Sequence, residues 1–260
     1  MYRGFNIKKI KFDNKSTFAA EYDKKHPNMF YSKVLGSIES FLQSDYRLDG
    51  NALIKEWFPV TNNKLIFISH SRDDCDLAKA LAYWLEKKFQ ITSFIDSSVW
   101  GDFRQLRQKI NSYLKKTLGA KYDFYEQDRV SQHIFVMLNN SLMEMMDRCQ
   151  CMFLLNTPNS VTVNELFQNS VYSPWIFSEI GMFNCIEKKY PPSIIQEEKK
   201  GIEQFSRVSY KVDLSRFTTL TADDLNTWCK ECKKLNKPQQ RLNKLYELHP
   251  EEKVFNYFNY

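Results

Sequence analysis

Residues 65–74, with the sequence LIFISHSRDD, carry the pattern from which the fold of this chain can be inferred. The first four form a short, continuous apolar run, which is typical of a strand buried on both faces of a sheet. Polar residues 69–71 follow at once, and from Asp73 to Lys88 apolar side chains recur at helical spacing. A strand, a polar turn and a helix in this order predict a parallel sheet covered by helices.

The same alternation continues towards the C-terminus. Further strands are predicted at residues 91–95, 151–155 and 208–214, and helices from residue 103, over residues 130–145, from residue 174, and near residues 222–235 and 238–248. Strands separated by helices indicate a doubly wound parallel sheet, in which ligands bind beyond the carboxyl ends of the strands.

Residues 1–60 differ from this pattern and predict an N-terminal helical extension. Apolar side chains recur at helical spacing in residues 30–42 and 52–58, whereas residues 7–12 fit a strand or a loop equally well. We therefore expect an extension over residues 1–60, an α/β domain over residues 64–215 with an enlarged segment at 102–150, and C-terminal helices over residues 216–260 that pack on this domain.

The composition restricts the classes of function that the chain can have. The 260 residues carry a net charge of +6, but pairs of lysines account for much of it, and these fall where helices are predicted to end. Such cations complement helix dipoles, so the charge does not predict nucleic-acid binding. A mean hydropathy of −0.52 and the lack of a long apolar run or signal-peptide core favour a cytoplasmic protein without a membrane span.

Several common kinds of functional site have no counterpart in the sequence. The seven glycines include no G-x-G pair and no P-loop, which argues against a phosphate-binding glycine-rich turn. The four histidines are scattered, and Cys229–Cys232 is a single C-x-x-C without a second pair, so no metal site is predicted. A G-x-S-x-G nucleophile elbow is also absent.

Residues 173–183, with the sequence SPWIFSEIGMF, single out one carboxylate. Ser173 can cap a helix and Pro174 suits its first turn, and at about 100° per residue the apolar side chains that follow form one arc. Glu179 lies inside this arc, where a carboxylate is costly unless it has a partner or a function. Glu179 is therefore the candidate catalytic residue, with a structural glutamate bonded to an arginine or the backbone as the alternative.

Three segments, in this order, resemble elements of a TIR (Toll/interleukin-1 receptor) domain. Residues 65–74 resemble its opening strand and the turn into its first helix. Residues 94–101, with the sequence FIDSSVWG, resemble the second strand and the following loop of bacterial TIR-like proteins, and Trp175 to Glu179 match the W-x-x-x-E element of TIR domains that cleave NAD. The additions at both ends and at 102–150 resemble the larger TIR proteins of antiphage defence, such as those of Thoeris systems.

The resemblance implies a flavodoxin-like TIR fold and an enzyme that cleaves the nicotinamide–ribose bond of NAD. The products would be nicotinamide and either ADP-ribose or a cyclic isomer that serves as an immune signal to a separate effector. NAD would be the substrate, with no other cofactor and no metal, and copies of the chain would associate through TIR surfaces. Neither nucleic acid nor a membrane is an expected partner.

The candidate site residues follow from the same resemblance and from their places at strand ends or on the Glu179 helix. Besides Glu179 as the catalytic carboxylate, the expected substrate-binding residues are Ser69, His70, Ser71, Asp96, Ser97, Trp100, Ser173 and Trp175. Turn chemistry explains the serines equally well, and a role in the core explains Trp175 equally well. Two other functions remain open, a non-catalytic interaction module and a nucleoside-processing transferase that also uses a glutamate.

Overall fold

A computed structural model describes residues 3–27, 38–41, 48–100, 103–161, 170–171, 173–186 and 210–250. In these ranges seven strands form: β1 Arg3–Lys8, β2 Ile66–Ser69, β3 Ser93–Phe94, β4 Cys151–Asn156, β5 Ser170–Val171, β6 Tyr210–Lys211 and β7 Phe217–Leu220. Five of them build a wholly parallel central sheet in the order β3-β2-β4-β1-β7, and the other two form a small antiparallel pair. The chain is therefore an α/β protein with a five-stranded parallel sheet.

Nine α-helices are present in the same ranges. They are α1 Lys15–Lys25, α2 Gly50–Trp57, α3 Cys75–Phe89, α4 Asp96–Val99, α5 Phe103–Leu118, α6 Phe124–Arg148, α7 Pro174–Cys185, α8 Ala222–Glu231 and α9 Pro238–Leu248. The helices predicted from residues 73, 103, 130 and 174 and the two near the C-terminus are confirmed, with small shifts at their ends. The helix predicted over residues 30–42 lies largely outside the described residues.

The sheet is covered by helices on both faces because successive strand residues point to opposite sides. On one face Ile66, Ile68 and Phe153 pack with α1, α3, α8 and α9, and on the other face Phe67 and Met152 pack with α2, α5, α6 and α7. All five of these strand side chains are inaccessible to solvent. Two hydrophobic cores thus hold the central strands between two layers of helices.

The N-terminal segment corrects the predicted domain boundary. Strand β1 is not part of a helical extension, because it lies between β4 and β7 and pairs with both. Its side chains Phe5 and Ile7 are fully buried. The sequence does not predict this strand, because Arg3 and Lys8 lie within it and only its residues Phe5 and Ile7 are strongly apolar. Residues 3–8 therefore belong to the α/β domain that was expected to begin at residue 64.

The C-terminal side of the sheet also differs from the expected pattern. The strand predicted at residues 208–214 appears only as β6, which pairs with β5 outside the central sheet, and residues 208–209 lie outside the described part of the chain. The edge strand β7 lies at residues 217–220, in the segment assigned to C-terminal helices alone. The first three positions, β3-β2-β4, follow a flavodoxin-like order, but β1 takes the fourth position.

Helix α7 begins where the sequence places it, and its start fixes the position of Glu179. The Ser173 hydroxyl accepts a hydrogen bond from the Ile176 backbone N–H at 3.4 Å, and Pro174 is in the first turn. Near the other end, the Phe183 ring packs against Gly4 of β1 and lies 4.5 Å from the Phe217 ring of β7. The helix is therefore held at both ends, by its cap and by two sheet strands.

Across the described ranges, the helices are all too short or too polar to cross a membrane.

Candidate active site

The candidate site lies at the carboxyl ends of the central strands, where the order of the sheet changes direction. The chain passes from β2 to β3 on one side and then returns to β4 on the other side. Loops that leave neighbouring strands in opposite directions open a crevice there, and ligands bind at such switch points in doubly wound sheets. Ser69 ends β2, and Asn156 ends β4.

Glu179 of α7 lies beside the end of β2 and is 3% exposed. The Ser69 hydroxyl donates a hydrogen bond of 2.5 Å to its Oε2 atom. A buried carboxyl group that accepts a hydrogen bond from a hydroxyl is held in one orientation, because other orientations would leave it without a hydrogen-bond donor. The structure thus joins the helix that was predicted to carry the catalytic acid with the strand end that was predicted to bind substrate.

The electrostatic surroundings favour the protonated form of Glu179. The net pKa of this carboxyl is raised from its ordinary value of 4.5 to about 8, chiefly by burial and then by the negative charge of Asp96. The Ser69 hydrogen bond and the charge of His70 lower the pKa in part. A positively charged ligand in the crevice would favour the ionised form, because it offsets the cost of a buried negative charge.

His70 connects the ends of β2 and β3. Its Nε2 atom lies 3.1 Å from the Ser97 hydroxyl, and its Nδ1 atom lies 3.4 Å from the Ile68 carbonyl and 3.9 Å from Asp96 Oδ1. Burial alone would lower the pKa of His70, but a hydrogen bond with Cys75 and nearby negative charges raise it to about 9. These surroundings favour the positively charged imidazole, beside Asp96, whose side chain is one-third exposed.

Ser71 is held by a second network at the β2 and β4 ends. Its hydroxyl donates to Asp74 Oδ2 at 2.7 Å, and Thr157 donates to the same oxygen at 2.5 Å. The Asn159 side-chain amide donates to the other oxygen of Asp74 at 3.0 Å. Asp74 is buried, and these three bonds tie the turn after β2 to the turn after β4. Ser71 therefore supports the shape of the crevice, through turn chemistry.

Three expected site residues make contacts of another kind in the structure. Trp100 is 1% exposed, donates its indole N–H to the Pro59 carbonyl at 3.0 Å and packs edge-on against Phe94. It belongs to the hydrophobic core, because helix α4 turns it inward. Trp175 is half-buried in an aromatic cluster with Phe103 and Phe135, at ring distances of 5.1 and 5.3 Å. Ser173 acts as the helix cap described above.

Two further polar side chains, which were not predicted as site residues, lie near this edge of the sheet. Asn6 of β1 occupies the same row as Ser69, since both pair with Leu154, and its buried Oδ1 has no hydrogen-bond partner in the described part of the chain. Cys75 begins α3, and its sulfur lies 3.6 Å from the Ser97 hydroxyl. No sequence signal marks Asn6, whereas Cys75 follows the polar turn directly and could have been included with it.

A separate surface cleft of about 600 Å³ lies between α3 and α8, on the opposite face of the sheet. Its lining includes Lys88, Lys230 and Lys233 together with Asp223. Long, mobile side chains of this kind do not converge on a defined point, so the Glu179 crevice is the stronger candidate for chemistry. Comparison of the chain with family models, curated proteins and solved structures finds no match.

Proposed function

We propose that this protein is a TIR-type enzyme that cleaves the nicotinamide–ribose bond of NAD, with Glu179 as the catalytic carboxylate. The observation that carries the proposal is the buried Glu179, which accepts the Ser69 hydrogen bond at the carboxyl end of β2. The parallel sheet, the crevice at its switch point and the W-x-x-x-E spacing of Trp175 and Glu179 support it. NAD is the substrate, and the reaction needs no further cofactor or metal.

The proposed chemistry uses Glu179 to stabilise positive charge. As the bond from the anomeric carbon to the nicotinamide nitrogen breaks, the electron pair leaves with nicotinamide and positive charge develops on the ribose. A carboxylate fixed beside the ribose favours this charged state over the starting state, which is how electrostatic catalysis accelerates a reaction. Water or a group of the bound nucleotide then adds to the anomeric carbon, giving ADP-ribose or a cyclic isomer.

Ser69 is proposed as a positioning residue, since its hydroxyl donates to the carboxylate itself. His70, Asp96 and Ser97 lie at the neighbouring strand ends and offer a cation, an anion and a hydroxyl to the ribose or phosphate groups. We further propose that the enzyme acts in the cytoplasm, that copies of it associate, and that its product activates a separate effector. These proposals rest on the resemblance to TIR proteins of defence systems.

The test is incubation of the purified chain with NAD, alone and with lysate of infected cells, followed by product analysis by mass spectrometry. We expect nicotinamide release, and we expect Glu179→Gln to lower turnover by about 10³-fold or more, because removal of one electrostatic group can cost this much. Glu144→Gln, at a half-exposed position on α6, is the matched control and should retain turnover.

Two outcomes would contradict the enzyme proposal. One is the absence of nicotinamide under both conditions, and the other is full turnover by a folded Glu179→Gln protein. A parallel incubation with nucleosides distinguishes a nucleoside-processing transferase, which would exchange or release bases while leaving NAD intact.

A second candidate function is a non-catalytic interaction module. Among the described residues, six large apolar or aromatic side chains are exposed on α6 and α7, namely Phe124 and Tyr125 at 79% each, Phe135 at 47%, Val136 at 55%, Met143 at 47% and Phe177 at 38%. Exposed apolar groups that lie on neighbouring helices are common in protein interfaces. This function would persist in Glu179→Gln, so self-association without NAD turnover in both proteins would favour it.

A further inference from the structure

Helices α5 and α6 form a hairpin, and its end is exposed to solvent. The two helices pack against each other, and in the turn between them the Tyr122 hydroxyl donates to Asn111 Oδ1 at 2.6 Å. Tyr122 is the one buried side chain that the structure describes between Ile110 of α5 and Val130 of α6. The end of the hairpin is therefore largely surrounded by solvent, although it is held together by a hydrogen bond of its own.

Three large apolar or aromatic side chains are exposed at this end. Leu118, the last residue of α5, is 41% exposed. Phe124 and Tyr125, the first two residues of α6, are the most exposed large hydrophobic side chains of the described chain, at 79% each. Such groups gain free energy when a partner removes them from water, so this cluster is a candidate interaction surface.

Three exposed lysines lie next to these apolar groups. Lys115 and Lys116 are in the last turn of α5, and Lys121 is in the turn that follows. Within the described residues none of the three has an ion-pair partner. Lys115 and Lys116 complement the dipole of α5, but a helix end carries only about half an elementary charge, so positive charge remains for a partner.

The acidic groups of the hairpin end have partners within α6. Asp123 caps the helix, since its Oδ1 atom accepts the Glu126 backbone N–H at 3.1 Å. Glu126 forms an ion pair with Arg129 at 2.9 Å. Asp128 lies one turn further from the end and accepts a hydrogen bond from Gln132 at 2.8 Å. The surface that Leu118, Phe124 and Tyr125 share with the lysines is therefore both apolar and positively charged.

We propose that this hairpin end binds the surface of an anionic lipid bilayer. Aromatic and leucine side chains are favoured at the boundary of headgroups and acyl chains, and lysines beside them attract anionic headgroups. The end of a helical hairpin is convex, which suits a deformable lipid surface, whereas an extended peptide needs a groove or a sheet edge. The expectation that no membrane is a partner rests on the lack of a spanning segment, which a peripheral contact does not need.

The experiment is co-sedimentation of the full chain with vesicles of phosphatidylcholine, alone or mixed with phosphatidylserine. We expect binding to the mixed vesicles to be about tenfold tighter or more, and added salt to weaken it, because exposed charges are screened. Equal binding to both vesicles, or none to either, would overturn the proposal. Binding to soluble polyglutamate without binding to vesicles would also overturn it and would identify an acidic polypeptide as the partner. NAD is not part of the assay, so the result is independent of the proposed function.

The contribution of charge is tested by two triple variants with the same net charge. Replacement of Lys115, Lys116 and Lys121 by Gln should weaken binding to the mixed vesicles by about 100-fold, since each lysine near an anionic surface contributes about fivefold. The matched control replaces three exposed lysines of the α3–α8 cleft by Gln and should bind like the parent; these are Lys88, Lys230 and Lys233. Equal losses in the two variants would overturn the proposal, because they would show attraction by the overall charge alone.

The contribution of the apolar groups is tested by two double variants on α6. Phe124→Ser with Tyr125→Ser should weaken binding by about tenfold or more, because this apolar area no longer enters the bilayer. Val136→Ser with Met143→Ser is the matched control, since both side chains are exposed but lie further from the hairpin end. All four positions are exposed, so the variants should fold, which circular dichroism checks. Unchanged binding by the folded Phe124–Tyr125 variant would overturn the proposal, as would an equal loss in the control.

Discussion

At the scale of single residues, the contact between Ser69 and Glu179 is the most informative feature of the molecule. It links positions 110 residues apart in sequence, and both side chains are almost inaccessible. A buried acid with one hydroxyl partner is expensive to ionise, and its ionisation is controlled by a few neighbours that can be changed one at a time. Asp96 opposes ionisation, and Ser69 and His70 favour it.

These neighbours predict how the activity depends on pH. Because the carboxylate is the active form and its pKa is raised to about 8, kcat/KM for NAD should rise as the pH approaches 8. Ser69→Ala removes a bond that lowers the pKa and should move the rising limb to higher pH. Asp96→Asn removes a charge that raises the pKa and should move the limb to lower pH. The measurement is kcat/KM between pH 5 and pH 10, as rough limits of the titration.

This prediction is decided by the pH at which kcat/KM rises and not by the size of kcat/KM. Both substitutions can lower turnover through lost substrate contacts. Only their opposite effects on the pKa of Glu179, however, would move the rise in kcat/KM in opposite directions along the pH axis. If kcat/KM rises at the same pH in the parent, Ser69→Ala and Asp96→Asn proteins, the titrating group is not Glu179.

At the scale of elements, the site depends on how closely α7 approaches β1. Gly4 allows this approach, because a Cβ atom built there would lie 2.6 Å from Cζ of Phe183 and 2.9 Å from Cδ1 of Phe217. Both rings are buried, so they have little room to move. The C-terminal half of α7 is thereby pressed against the sheet, and one turn earlier the same helix presents Glu179.

Gly4→Ala is therefore expected to lower the free energy of unfolding by about 1–3 kcal/mol, the usual cost of extra volume in a packed core. Gly181→Ala is the matched control on α7, where an added Cβ meets nothing within 4 Å. It should raise the free energy of unfolding by up to about 1 kcal/mol, because alanine is the better helix former. Urea titration of the three proteins measures both effects, and equal stability of Gly4→Ala and the parent would contradict the packing argument.

At the scale of the whole molecule, the N-terminal strand is an interior part of the sheet. It forms parallel ladders with β4 and β7, so its removal leaves two unpaired strand edges and separates β7 from the rest of the sheet. It also opens the core on one face, where Phe5 packs edge-on against Phe153 at 5.6 Å. The first residues of the chain and the last strand of the sheet are thus held in one cooperative unit.

We therefore expect a chain truncated to begin at residue 14 to lose the cooperative unfolding transition. Far-ultraviolet circular dichroism during urea titration measures this directly. Lys24→Ala is the control within the same N-terminal region, because Lys24 is exposed and forms a surface ion pair with Glu21. It should change the free energy of unfolding by no more than about 0.5 kcal/mol. A truncated chain as stable as the parent would show that the sheet does not need β1 for its stability.

The local sequence determined much of this protein. Local sequence was sufficient to predict the buried strands at 66–69 and 151–156, the capped start of α7 and the helices that follow. Apolar periodicity and capping residues act over a few positions, so they can be recognised without the tertiary structure. It also singled out Glu179, since a carboxylate within an apolar arc is unusual wherever the helix packs.

Only the tertiary structure decided the remainder. The place of β1 between β4 and β7 depends on pairing over more than 140 residues, and no local pattern encodes such a partner. The same holds for the bond from Ser69 to Glu179, for the burial of Trp100 and for the bridge of Ser97 between Cys75 and His70. Those contacts form because the packing of the whole sheet brings strand ends and helices together, and their chemistry follows from that arrangement.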